Sequence, residues 1–257
     1  MIDLPNLIQL VTIEIVAYNI ESALRAQEGG ADRIELCADP GAGGTSPSYG
    51  VVEVVRQNIS IDLFAMIRPR GGDFVYSNYE FHAMKRDLAQ FQRLSVDGVV
   101  FGILTPDGKL DSKRCRELIE RARPLKVTCH RAFDRTRDPL EALEDCIEAG
   151  FDRILTSGHK HKAFEGIPLI RSLIEKAGNR ITIMPGSGIN TDNAGQIIRE
   201  TGAREIHFSA SKYRESMMKF TGSEKFPMGL DDASESLVRT VDVDVVRSIR
   251  AIADQLS

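Results

Sequence analysis

The 257-residue chain has no run approaching the ~20 apolar residues that span a bilayer. Its first residues, Met1-Ile2-Asp3-Leu4-Pro5, lack a charged leader followed by an apolar block. It is also short of positive charge: 33 Lys and Arg stand against 37 Asp and Glu, a net charge of −4. Phosphate affinity needs a concentrated basic field, which this balance does not supply. The expectation is a cytoplasmic protein without nucleic-acid or membrane partners. The four cysteines, Cys37, Cys115, Cys129 and Cys146, show no CxxC spacing, so neither a zinc cluster nor a disulfide framework is implied and reduced thiols are expected. A doubly wound open sheet would want a GxGxxG turn after its first strand, and Ala17-Tyr18-Asn19 has no glycine at all.

What is present is globular: 42% hydrophobic and 27% charged residues. Short β-branched runs alternate with helix-period segments between residues 12 and 209, the pattern of βα units around a parallel sheet. Eight strands are expected near 12–16, 33–37, 62–68, 98–102, 126–130, 153–157, 181–186 and 205–209. Eight such units predict a (β/α)8 TIM barrel, an α/β fold in a single domain over 1–257. The barrel core would cover about 12–211, with a C-terminal helical extension over 212–257. Within that extension residues 215–240 read as polar and irregular, and 242–255 as a helix that closes the barrel base or packs on a partner. Phe81, Met84, Leu88, Phe91 and Leu94 mark a buried stripe on a helix over 79–94, as Leu140, Leu143 and Ile147 do on the fifth helix. Gly30, Gly150 and Gly202 stand at repeated helix-to-strand junctions, where a C-cap needs positive φ.

Alternate side chains of a barrel strand face the interior and the surrounding helices. Ile13 and Ile15 belong against the helices, which turns Glu14 and Val16 inward. Ile34 and Leu36 likewise turn Arg33, Glu35 and Cys37 inward. Buried charges need partners, and Arg68, His130, Arg131 and His207 stand at the ends of the third, fifth and eighth strands. Glu14, Glu35, Arg68, His130, Asp134 and His207 would together supply a general acid, a general base and an anion clamp at the C-terminal strand ends, where barrel enzymes build their sites. The competing reading is an inward salt-bridge layer that fills the barrel. Arg131 and Ser157 are further candidate ligand contacts. Gly186, Ser187 and Gly188 lie in a turn that reads as running straight into a helix, whose N–H groups would suit a phosphate or carboxylate together with Ser209. His159-Lys160-His161 reads as solvated surface, because no third metal ligand is evident nearby. Cys129 should face the helices, and Cys115 and Cys146 read as helix core.

The blocks Gly29-Gly30-Ala31-Asp32-Arg33-Ile34-Glu35-Leu36-Cys37, Gly43-Gly44-Thr45-Ser46-Pro47-Ser48, Ile67-Arg68-Pro69-Arg70-Gly71-Gly72-Asp73-Phe74, His130-Arg131-Ala132-Phe133-Asp134, Leu155-Thr156-Ser157-Gly158 and Gly186-Ser187-Gly188-Ile189 resemble the CutC copper-homeostasis family in order. The resemblance spans about residues 12–215. It implies a cytoplasmic barrel, a homo-oligomer (dimer or tetramer), linked to copper tolerance and copper(I) binding. A cysteine pair proposed in that family as copper(I) ligands would fall on Val16 and Cys37, so here one thiol faces a valine and Cys37 is the metal candidate. Two readings stand: a copper-handling protein using Cys37, or an enzyme acting on a small anionic or polyol-like metabolite through the carboxylate, arginine and histidine groups. The residue chemistry does not name the reaction.

Overall fold

The computed structural model describes residues 10–220 and 236–256. Strands and helices alternate as β1 (Thr12–Ala17), α1 (Ile20–Glu28), β2 (Arg33–Leu36), α2 (Tyr49–Asn58), β3 (Asp62–Met66), α3 (Asn78–Arg93), β4 (Gly98–Phe101) and α4 (Ser112–Ala122). They continue as β5 (Lys126–Cys129), α5 (Pro139–Ala149), β6 (Arg153–Thr156), α6 (Ile167–Ala177), β7 (Thr182–Pro185), α7 (Ala194–Thr201) and β8 (Glu205–Phe208). All eight strands are parallel and pair in the order β7-β6-β5-β4-β3-β2-β1-β8. A parallel bridge between Gly186 and His207 joins β7 to β8 and brings the sheet round into a barrel. The eight strands lie where the alternation of the sequence puts them.

Two hydrophobic clusters express that alternation. Ile13, Ile15, Ile34, Leu36, Leu63, Val99, Val127, Ile154 and Ile206 face outward into the large cluster between sheet and helices. Val16, Cys37, Phe64, Met66 and Val100 form a small separate cluster inside the barrel. Helix ends are set locally: Ser77 and Glu80 make a reciprocal capping box at α3. Asp138 caps α5 ahead of Pro139 at its first turn. Gly30, Gly150 and Gly202 hold φ of 90°, 95° and 70°, as the junction pattern predicts.

Three expectations are corrected. The segment after β8 is not irregular throughout: β9 (Ser211–Glu215) and β10 (Leu237–Val241) pair antiparallel into a hairpin beside α1, while residues 221–235 lie outside the described residues. The final helix, α8 (Val243–Asp254), packs on α7 and α1 and so completes the outer ring between them. Its Val246 side chain sits so close to Gly29 that an added Cβ there would come within 2.6 Å. On α5, Leu140 is 40% exposed while Ala142, Leu143 and Cys146 are buried. The buried stripe begins one turn later than the leucine spacing suggests, because residue 140 lies in the first turn beside the cap.

Candidate functional site

The barrel interior is layered by charge. Lowest, at the N-terminal strand ends, the Arg33 guanidinium donates to Glu14 Oε2 and to Glu205, and Arg153 donates to both Glu205 oxygens and to Thr128 Oγ1. Both guanidiniums lie over the Phe64 ring, 4.9 and 5.4 Å from its centroid. Two carboxylates thus face two guanidiniums, and this part is a salt-bridge layer that fills the barrel. The sequence reading had placed Arg33 and Glu14 inward. It missed Arg153 and Glu205, although they precede the outward Ile154 and Ile206 by the same alternation.

Above that layer the chemistry changes. Glu14 Oε1 accepts from His207 Nδ1 at 2.7 Å. Burial alone would raise the Glu14 pKa, but the Arg33 guanidinium and His207 hold it well below the usual carboxylate range. An ionised Glu14 fixes the Nδ1–H form of His207, and the ring turns Nε2 toward Glu35 Oε2, 3.8 Å away. Burial, with Glu14 adding to it, pushes the Glu35 carboxyl up to about 7 despite the pull of His207. Burial disfavours charge on His207, yet Glu35 and Glu14 outweigh it and raise its pKa. Glu35 Oε2 accepts from the Cys37 thiol at 3.6 Å, while Oε1 is buried without a partner among the described residues. Burial and the adjacent Glu35 push the Cys37 thiol well up. Glu14, Glu35 and His207 present ligand atoms all within 4.8 Å of one another. Their side chains are almost wholly enclosed, with His207 at 8% exposure the one that reaches furthest out.

The other site candidates fall into separate groups. Arg68 forms no ion pair with Glu14 or Glu35. Its Nη1 donates to the carbonyls of Ala42 and Gly44 and its Nη2 to that of Gly72, so it staples two loops over the mouth. Phe74 contacts both it and His130, with the guanidinium 4.9 Å from the Phe74 centroid and the imidazole centroid also 4.9 Å away. Burial and the Arg68 charge push His130 down to about 3, which leaves it neutral. Its Nδ1 accepts from the Ala132 N–H, so the proton sits on Nε2, a buried donor without a partner among the described residues. Asp134 is an organiser of the loop after β6: its oxygens accept from Thr156 Oγ1, Ser157 N and Oγ, His159 N and Arg131 Nε. Arg131 also donates to Ser157 Oγ, so Arg131, Asp134 and Ser157 spend their polar atoms mainly on one another.

The glycine turn after β7 does not run straight into a helix. Residues 191–193 intervene before α7, closed by hydrogen bonds between Asn190 and Asn193. Gly186 is buried against Leu155 and His207, Ser187 donates to the His161 carbonyl, and Gly188 lies against Lys162. Ser209 is half-buried beyond His207. His159, Ser187 and Ala210 have φ of 55°, 84° and 41°. Non-glycine residues at positive φ thus collect at the mouth, on the loops after β6, β7 and β8. His159 Nε2 lies 3.4 Å from Thr136 Oγ1, and Cys115, Cys129 and Cys146 are core thiols. Tyr18, the inward residue after Val16, was also missed; it packs against the interior cluster under the Arg239 guanidinium of β10.

These features define a (β/α)8 barrel with a buried carboxylate–histidine centre over a structural salt-bridge layer. The CutC family model matches residues 11–212, and the chain belongs to that family. It is 47% identical over 244 residues to the human "Copper homeostasis protein cutC homolog", covering 95% of this chain and 89% of that protein. It is 49% identical to a family protein CutC of Parabacteroides distasonis, over 90% and 95% of the two chains. The crystal structure of a putative copper homeostasis protein CutC from Streptococcus agalactiae superposes with a TM-score of 0.75 at 34% identity, covering 78% of this chain and 99% of that one. Thiamine phosphate pyrophosphorylase from Pyrococcus furiosus, at 18% identity and a TM-score of 0.60, shares the fold.

Proposed function

We propose that the chain is a barrel enzyme that moves a proton on a small polar metabolite, with His207 and Glu35 as the acid–base pair and Glu14 as the group that positions His207. The observation that carries this reading is the line Glu14 Oε1, His207 Nδ1, His207 Nε2, Glu35 Oε2, with spans of 2.7 and 3.8 Å. A carboxyl raised to about 7 beside an imidazole of raised pKa matches the poise that proton transfer at neutral pH requires. A substrate atom reaching both groups would give its proton to one and recover a proton from the other. His130 Nε2–H, buried and unpaired among the described residues, is a donor for a ligand oxygen. The test is a metabolite-binding screen read by thermal shift, repeated on Glu35→Gln and His207→Gln. Hits that bind both variants as well as the parent would contradict the reading.

Copper(I) handling is the second reading, favoured by the names of the human and mouse relatives and by the meeting of Cys37 and Met66 in the interior cluster beside Val16. A thiol and a thioether suit a soft ion. Competition titration decides: tight one-to-one copper(I) binding abolished by Cys37→Ser would carry this reading over the first. Either role would be exercised in the cytoplasm, and among the described residues no helix is long and apolar enough to cross a membrane. Self-association into a dimer or tetramer would be served by the hairpin, where Tyr213, Met217, Met218 and Phe220 are exposed. A monomer by light scattering at micromolar concentration would count against it.

A further inference from the structure

We infer that Glu35 and His207 form a site for a divalent transition-metal ion of the zinc class, with Glu14 as the outer carboxylate that orients the histidine and Cys37 as the adjacent third donor. As a binding claim it stands on the geometry of these residues. As a control of proton transfer it rests on the acid–base reading above, since a cation seated between the two groups occupies the positions a substrate proton would use.

Four observations converge. Glu14, Glu35 and His207 bring one ligand atom each within 4.8 Å of one another. Among the described residues Glu35 Oε1 is buried with no partner of its own, on a residue only 3% exposed. His207 presents Nε2 inward because Glu14 accepts from Nδ1 at 2.7 Å; a carboxylate bonded to the far nitrogen of a ligating histidine is the usual outer arrangement of protein zinc sites. Glu14 is itself held by Arg33, so it supports the histidine and Glu35 meets the ion. The fourth is charge: Glu14 and Glu205 already face Arg33 and Arg153, which leaves Glu35 with no guanidinium in an ion pair among the described residues and only His207 beside it, 3.8 Å away.

The donors select the class of ion. One imidazole nitrogen, one carboxylate and a thiol 3.6 Å from that carboxylate make a mixed N/O/S set that suits zinc-like ions. Magnesium and calcium would require a shell made of oxygen, and copper(I) would find only one thiol. Binding is an exchange of ions: the cation enters, the proton held by the pair and the proton of the Cys37 thiol leave to solvent, and no electrons move.

The experiment titrates the metal-stripped full chain with zinc chloride against a chromogenic chelator, and collects anomalous diffraction at the zinc edge from a soaked crystal. One ion per chain is expected, with its anomalous peak between His207 and Glu35. Glu35→Gln and His207→Gln should each weaken binding by at least about tenfold, and Glu14→Gln by about 10–100-fold through the lost support of the histidine. His159→Asn with His161→Asn should leave it unchanged. Far-ultraviolet circular dichroism checks that each variant is folded, and the diffraction result needs no variant. Absence of binding, binding unaltered by Glu35→Gln, or a peak at the His159–His161 loop would each overturn the inference. None of these results bears on metabolite binding by the metal-free protein, so the acid–base reading succeeds or fails separately.

Discussion

Replacing Glu35 by glutamine keeps the shape of a side chain that is only 3% exposed while removing its ability to ionise. In the folded chain its carboxyl titrates at about 7, against 4.5 for the free group. Between those values the unfolded chain has released the proton and the folded chain has not, so the unfolded state binds fewer protons and stability falls as pH rises. The contribution is whole below about pH 4.5 and is lost by the time the pH passes about 7. At about 1.4 kcal/mol for each pH unit, the interval comes to roughly 3 kcal/mol. His207 adds to the same slope: its raised folded pKa depends first on Glu35, and stability drains away as pH climbs through it. Glutamine removes the first contribution and the part of the second that Glu35 supplies, while Glu14 goes on raising His207. Urea denaturation followed by circular dichroism at pH 5, 6, 7 and 8, at constant ionic strength, should show the variant gaining on the parent by about 3 kcal/mol across that range. Two parallel stability curves would refute the reasoning, because they would mean that Glu35 ionises as an ordinary solvated carboxylate.

Arg68→Leu breaks three charge-assisted bonds to the carbonyls of Ala42, Gly44 and Gly72; a loss of about 3 kcal/mol in chemical denaturation is expected, with faster hydrogen exchange confined to the loops around 39–46 and 69–74. A midpoint equal to the parent's would return Arg68 to the role of ligand clamp. Gly98→Ala places a methyl 2.5 Å from the Phe64 ring inside the barrel, so overpacking should cost about 1–3 kcal/mol; an unchanged midpoint would show that Phe64 moves freely. Cys37→Ser should change copper(I) affinity little in a competitor titration, because Val16 offers no second thiol beside it.

The fold was legible because outward-facing apolar residues recur at alternate positions, as Ile13 and Ile15, Ile34 and Leu36, and Leu63 and Ala65 do, and because glycines with φ near 90° mark the junctions Gly30 and Gly150. The hairpin was not: Ser211–Glu215 is Ser-Lys-Tyr-Arg-Glu, with no buried face to give it a hydrophobic signature. In the site, alternation identified the inward Glu14 and Glu35, and strand-end position identified His207. It could not say that Glu14 belongs to the salt-bridge layer and to the centre at once, which depends on the register that sets Glu14 opposite both Arg33 and His207. Arg68 shows a different limit. Its position at a strand end was readable, but its partners are loop carbonyls, and backbone acceptors leave no trace in side-chain identity. Asp134 looked catalytic by type and proximity to His130, yet hydrogen bonds from the loop after β6 occupy its oxygens.

The central claim is that Glu35 and His207 hold a proton between them inside the barrel, and nuclear magnetic resonance reads it directly. In protein labelled with nitrogen-15 histidine and carbon-13 glutamate, the Glu35 carboxyl carbon should titrate near pH 7, His207 should titrate above the 6.5 of a free imidazole, and its neutral form should carry the proton on Nδ1, facing Glu14. Glu35 titrating near 4.5, with His207 at or below 6.5, would contradict the account.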